Sequence, residues 1–173
     1  IEDNILHAYN TENINNRNVC PATFTLVGQA CFKLLGDRMY DWNDAKSQCM
    51  LFNSDLAWFE ADQELDLVKS WLSNLILTND IWIGGKIDYD SNNWLWDLNN
   101  TAIPVSILLK NWAPNRPLSN KKSNKMILSR TNGFLFSNEP DEKGEYLALC
   151  KKNAFIFDNS VTKLLPITQI NAV

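Results

Sequence analysis

The sequence predicts an α+β domain stapled by disulfides: a hairpin, two helices, then a loop-rich stretch closed by short strands. Three observations carry that expectation. Cys20, Cys31, Cys49 and Cys150 form an even set without metal-ligand spacing. Two stretches in the first half repeat apolar residues at the helical period. The second half breaks into short β-type runs divided by Gly, Asn, Asp and Pro. At 173 residues, 45% hydrophobic and 21% charged, the chain suits one domain able to bury a core.

The elements follow in chain order. "IEDNILHAYN" opens an Asn-rich stretch, and residues 1–19 read as a flexible tail. "CPATFTLVGQAC" has the form of a hairpin: a β-rich run, a turn at Gly28 and a return. In "YDWNDAKSQCMLF", Trp42, Ala45, Cys49 and Phe52 recur at helical steps, and Asp41 is placed to cap the start. A second helix in "ADQELDLVKSWLSNL" carries Leu65, Val68, Leu72 and Leu75 as its buried stripe, with Trp71 beside it. Helical period then disappears, and "DIWIGG", "NWLWDL", "KMILS", "GFLF" and "EYLALCKK" read as strands. Residues 153–173 are too apolar for a solvated tail and are expected to pack as an added strand or arm, on the domain or on a partner copy. Pro166 favours an edge position there.

Composition excludes several functions. A net charge of -4 argues against a nucleic-acid partner, and the one basic run, "NKKSNK" at residues 120–125, reads as a solvated loop. His7 is the only histidine and lies in the tail, so neither a Ser-His-Asp triad nor a zinc site is assembled around it. Glycine-rich phosphate loops are absent from the sequence, and acidic pairs such as Glu60 with Asp62 read as surface charge. No catalytic residue, metal or cofactor is therefore assigned. Nor does the chain show a signal-peptide pattern or an apolar run of membrane-spanning length, so no membrane insertion is expected of these residues. Four cysteines allow three pairings. The hairpin favours Cys20 with Cys31, which leaves Cys49 with Cys150, but spacing alone does not choose. Disulfide usage implies an oxidising compartment, hence a secreted protein or an ectodomain.

A hairpin opening on "CP", a helix reading Trp-x-x-Ala-x-x-x-Cys, "WIGG", "WLWD", "NWAPNRP" and a strand ending "YLALC" occur in that order between Cys20 and Lys152. The ordered set resembles a long-form C-type lectin-like domain. This resemblance implies a domain over residues 20–152 with a double-loop fold, in which two helices flank small antiparallel sheets and the long loop carries the ligand surface. The pairings Cys20–Cys31 and Cys49–Cys150 agree with the family's pattern. Sugar-binding members use a Glu-Pro-Asn or Gln-Pro-Asp tripeptide to hold calcium, matched here by Arg116-Pro117-Leu118. The family's Trp-Asn-Asp falls on Phe136-Ser137-Asn138. Arg116 brings a positive charge and Leu118 offers no oxygen, whereas calcium takes about six to eight oxygen ligands. Asn138, Glu139, Asp88 and Asp90 are the residues that could rebuild a cation site. The family's second long-loop disulfide falls on Met126 and about Asp141, which predicts a looser outer loop.

Trp82, Trp94 and Trp96 crowd one short stretch of a chain with seven tryptophans. Trp82 and Trp96 match core positions of the family, as does Trp112, while Trp94 stands open between core and ligand platform. Trp58 and Trp71 belong to the domain's base. The resulting expectation is calcium-independent recognition of a protein partner through Asn115, Arg116, Leu118, Asn120, Lys121 and Lys122, with Phe134 and Glu139 alongside. The alternatives are a glycan held by "DYDSNNW" with Trp94 as the stacking face, and an assembly subunit or homodimer. Asn99, in "NNT", is the single Asn-x-Ser/Thr sequon.

Overall fold

In the computed structural model, which describes residues 17–158 and 163–166, the chain opens with β1 (Arg17–Val19), β2 (Thr25–Val27) and β3 (Ala30–Tyr40). Helix α1 (Trp42–Leu51), β4 (Asp55–Leu56) and α2 (Asp62–Ser73) follow. Next come β5 (Ile81–Asp88), β6 (Asn93–Trp96), β7 (Thr101–Ala102) and α3 (Val105–Asn111). The chain then completes β8 (Lys125–Ser129), β9 (Leu135–Glu139), β10 (Tyr146–Asn153), β11 (Phe155–Asp158) and β12 (Lys163–Pro166).

The main sheet runs β2-β3-β10-β5-β6-β7, with β4 beside β10, β8 beside β5, and β9 beside β8. Its pairings are antiparallel except β10 with β5. The β2–β3 hairpin turns at Gly28, whose φ of 61° suits glycine. Gly85 of "WIGG" has a different reason: a Cβ there would meet the Met126 Cβ at 2.6 Å. Met126, expected at a lost disulfide position, is thus fully buried against β5.

Each sheet face has its own core. Under α1 lie Leu35, Tyr40, Leu56, Trp82, Ile127, Tyr146 and Ala148 with Trp42, Ala45 and Cys49 from the helix. On the other face α2 contributes Leu65, Val68 and Leu72 to a larger core with Phe32, Phe59, Ile83, Trp96 and Phe136. The indole N–H groups of Trp82 and Trp96 donate to the Tyr40 and Phe59 carbonyls, at 2.8 and 3.1 Å. Trp94 is buried too and meets Trp112 edge-on at 5.1 Å between ring centres, so its ring fills the core. Trp58 is buried in the larger core, and the partly buried Trp71 and Trp112 pack against it. Lys151 pins α2 to the sheet, 2.6 Å from Glu64 and 3.0 Å from the Trp58 carbonyl it donates to. Burial pushes its ammonium pKa down, and Glu64 opposes that shift.

The disulfides join Cys20 to Cys31 and Cys49 to Cys150. Asp41 caps α1 by accepting from the Asp44 N–H at 2.7 Å. Several expectations need correction. Phe52 and Leu75 lie beyond the helices whose stripes they were to complete, and both are exposed. A third helix, α3, lies where no helical period was read. The tail expected over residues 1–19 loses its last three residues, because Arg17–Val19 pair with β11. Residues 1–16, with His7, lie outside the described part. The small sheet β1-β11-β12 places β12, with Pro166, at an edge. No helix among the described residues is long and apolar enough to cross a membrane.

Candidate functional site

Between β7 and β8 the chain makes its longest excursion, through α3 and then residues 112–124 with little regular structure. Its base is anchored by aromatic packing: Trp112 meets Phe136 edge-on at 5.9 Å, and the Ala113 N–H donates to the Phe136 carbonyl at 2.8 Å. Further out, Asn138 at the end of β9 fastens the loop. Its carboxamide oxygen accepts from the Leu118 N–H at 2.7 Å, and its NH₂ donates to the carbonyls of Leu118 and Ser123 at 2.9 and 2.8 Å. The residue is 0% exposed, so these bonds form away from water, where leaving the loop's backbone groups unpaired would be costly.

Arg116 supplies the charge. Its guanidinium donates to the Asn138 carbonyl at 3.1 Å and to the Glu139 carboxylate at 3.3 Å, and Glu139 also meets Lys143 at 3.4 Å. A fixed side-chain cation and a buried carboxamide thus tie the loop to β9. Asn120 shapes the next turn, accepting from the N–H groups of Lys122 and Ser123 at 3.1 and 2.8 Å.

Beside the loop lies a cleft of about 490 Å³, lined among others by Ile87, Tyr89, Trp94, Pro117, Leu118 and Lys121. Tyr89 and Leu118 are its exposed apolar groups, and the Tyr89 hydroxyl donates to the Lys121 carbonyl. Burial, with Asp141 adding repulsion, raises the phenol pKa of Tyr89. Asp88 turns to its own hairpin, accepting from Ser91 Oγ and the Asp90 N–H. The hydrogen bond from Ser91 holds its carboxyl below the usual value. Among the described residues no three His, Cys, Asp or Glu side chains gather as a metal-ligand set.

Asn115, Arg116, Leu118, Asn120, Lys121 and Lys122 share this loop, and Glu139 closes onto it through Arg116. Asn115, Leu118, Asn120, Lys121 and Lys122 are exposed, Arg116 less so. Phe134 does not belong with them. It is 6% exposed, part of the larger core, and lines a separate cleft with Lys69 and Arg130. Two residues were missed in these roles. Tyr89 stands out only as an aromatic side chain among turn-formers, whereas the fastening by Asn138 carries no sequence signal beyond an Asn in place of an acid.

Two disulfides, an α+β core and a long loop fastened back onto a strand define a class of lectin-like domain. The chain belongs to the C-type lectin domain family, matching it over residues 38–152. It is 29% identical over 80 residues to mouse C-type lectin domain family 12 member B, a match covering 46% of this chain but only 28% of that relative's length. Among solved structures it resembles a calcium-independent type II antifreeze protein, at 26% identity and a TM-score of 0.64, covering 80% of this chain and 97% of that one. It also superposes on the lectin SPL-1 in complex with GlcNAc, with a TM-score of 0.66 at 20% identity over 77% of this chain and 94% of the other. The latter likeness shows the fold alone.

Proposed function

We propose that this chain is an extracellular recognition domain that works without calcium and binds a protein partner through its long-loop face. The observation that carries this reading is the fastening of the loop by Arg116, Asn138 and Glu139. A guanidinium already bonded to Glu139 repels a divalent cation and takes up a carboxylate such a cation would need. The same bonds hold the loop in one shape without an ion, which lowers the ordering cost of binding. Leu118, at 40% exposure, lines one cleft with Tyr89 and Lys121, and the exposed Lys122 follows in the same loop, an apolar centre with basic neighbours suited to a protein surface carrying carboxylates.

A second reading draws on the cleft beside Tyr89. Asn92, Ser119 and Asn120 line it together with the Tyr89 ring, the mixture of amide, hydroxyl and aromatic groups that a sugar would meet. The experiment combines a glycan array, read with and without chelator, and a pull-down from extracellular protein, each repeated with the double variant Lys121→Glu, Lys122→Glu. A captured protein released by the variant supports the first reading. Chelator-resistant glycan binding that Tyr89→Ala abolishes favours the second. Binding of either kind that requires calcium overturns both.

A further inference from the structure

Helix α1 ends in a way that leaves apolar side chains in water. The Asn53 N–H donates to the Met50 carbonyl and the Ser54 N–H to the Cys49 carbonyl, with Asn53 in the left-handed region at φ 50°. This double closure stops the helix abruptly. Ser54 Oγ also donates to the Cys49 carbonyl, at 2.7 Å. Cys49, tied to β10, faces inward, and the turn around it therefore points out. Leu51 is 74% exposed, Met50 58% and Phe52 38%.

The strands beneath supply the rest. Cross-strand partners in an antiparallel pair share a face. Leu26 opposes Cys31, Cys31 opposes Lys152, and Lys33 opposes Cys150. Leu26, Lys33 and Lys152 therefore lie on the face that α1 covers, beyond the reach of its last turn. Lys33 Nζ sits 4.7 Å from the Phe52 ring centre, and Lys152 donates to the Phe52 carbonyl at 3.1 Å. Neither lysine has a carboxylate partner among the described residues. In a chain of net charge -4, this corner combines protruding apolar groups with uncompensated cations.

We propose that this corner docks on an anionic lipid surface. The charge selects the occupant. A two-fold contact centred on this corner would bring only more of the same cations and apolar groups, with no carboxylate from the patch to face Lys33 or Lys152. Phosphate and carboxylate headgroups supply the missing counter-charge, while Leu51 and Met50, standing out from the helix end, reach the acyl boundary. The corner shares no residue with the long-loop face, so it could hold the domain at a membrane while that face stays free.

The test is co-sedimentation of the whole chain with phosphatidylcholine vesicles, with and without phosphatidylserine. Expected is binding that needs phosphatidylserine and weakens with salt. At about fivefold per lysine near an anionic surface, Lys33→Gln with Lys152→Gln lowers partitioning roughly twenty- to thirtyfold. Leu51→Glu abolishes it, while the long-loop pair Lys121→Gln, Lys122→Gln leaves it unchanged. All these side chains are solvent-accessible, and a thermal melt confirms that each variant is folded. Folded wild-type protein that ignores phosphatidylserine overturns the proposal. So does equal loss in the long-loop variant, or a concentration-dependent mass that Leu51→Glu abolishes, which would assign the corner to a second copy.

Discussion

Arg116 can be removed while its partners stay in place. Arg116→Ala leaves Glu139 with Lys143 alone and takes a donor from the Asn138 carbonyl. A half-buried pair of this kind is worth about 1 to 2 kcal/mol. The expected outcome is a melting temperature lower by roughly 3 to 8 °C, with no restoration by millimolar calcium because Leu118 still offers no oxygen. A thermal melt with calcium and with chelator checks this. Asp97 gives the pH dependence. Burial pushes its carboxyl up, but hydrogen bonds from Lys46 and Lys86, both ion pairs at 2.8 Å, outweigh burial and hold its pKa below the usual value. A carboxyl depressed in the folded state stabilises above its unfolded pKa and loses that contribution as pH falls through the folded one. Asp97→Asn should therefore cost about 1 to 2 kcal/mol at neutral pH and progressively less below about pH 4. Relief of Asp55, whose pKa is raised by burial and then by Asp97, returns part of that cost. Urea midpoints at pH 7 and pH 3 measure the difference.

At the scale of elements, the ends of α1 show what sequence can and cannot disclose. Its start was legible because Asp41 is a capping residue ahead of a periodic run. Its end was not, because Phe52 continues the period while Asn53 stops the helix by adopting positive φ. Asn53→Val, β-branched in the left-handed region, should destabilise by about 1 to 2 kcal/mol, and Asn53→Gly should be tolerated; unchanged denaturant slopes would show the native state intact. Helix α3 was missed for a related reason. It buries only Ile107 and Asn111 and leaves Val105 and Leu109 in solvent, so no apolar stripe announces it. Strands β5, β6, β8 and β9 were legible as short apolar runs between turn-formers. "GFLF" also carried the correction for Phe134, since two phenylalanines two residues apart share a side and both face the core. The fastening of the long loop was not readable. It depends on where the backbone of Leu118 and Ser123 passes relative to β9, a matter of the loop's path rather than of residue types.

For the whole molecule, covalent closure does much of the ordering. The Cys49–Cys150 bond spans 101 residues, and closing a loop of that length is worth about 4 to 5 kcal/mol in the chain-entropy view. The last segment adds to this locally, because β11 pairs with β1 of the same chain and Ala154 is buried. Deleting residues 154–173 should lower stability by about 1 to 2 kcal/mol without changing the oligomeric state measured by light scattering, since the partner strand is internal. A fall in the number of copies would assign the segment to an intermolecular role instead.

The same arrangement determines how the domain carries tension. Arg17 lies opposite Phe157 while Pro166 lies opposite Phe155, so a pull on the two outer ends of the small sheet shears β1, β11 and β12 along their length before it separates them. The load then passes from Cys20 through sulfur to Cys31, whose cross-strand neighbour is Lys152, near the other loaded end. Peeling β10 from β3 can proceed only as far as Cys150, which is anchored to α1. Two covalent links thus route force across one corner of the sheet, and the loop fastened by Asn138 stands outside the strained path. Force applied at the ends of the described chain therefore meets two sulfur links before it reaches the strands beneath the long loop.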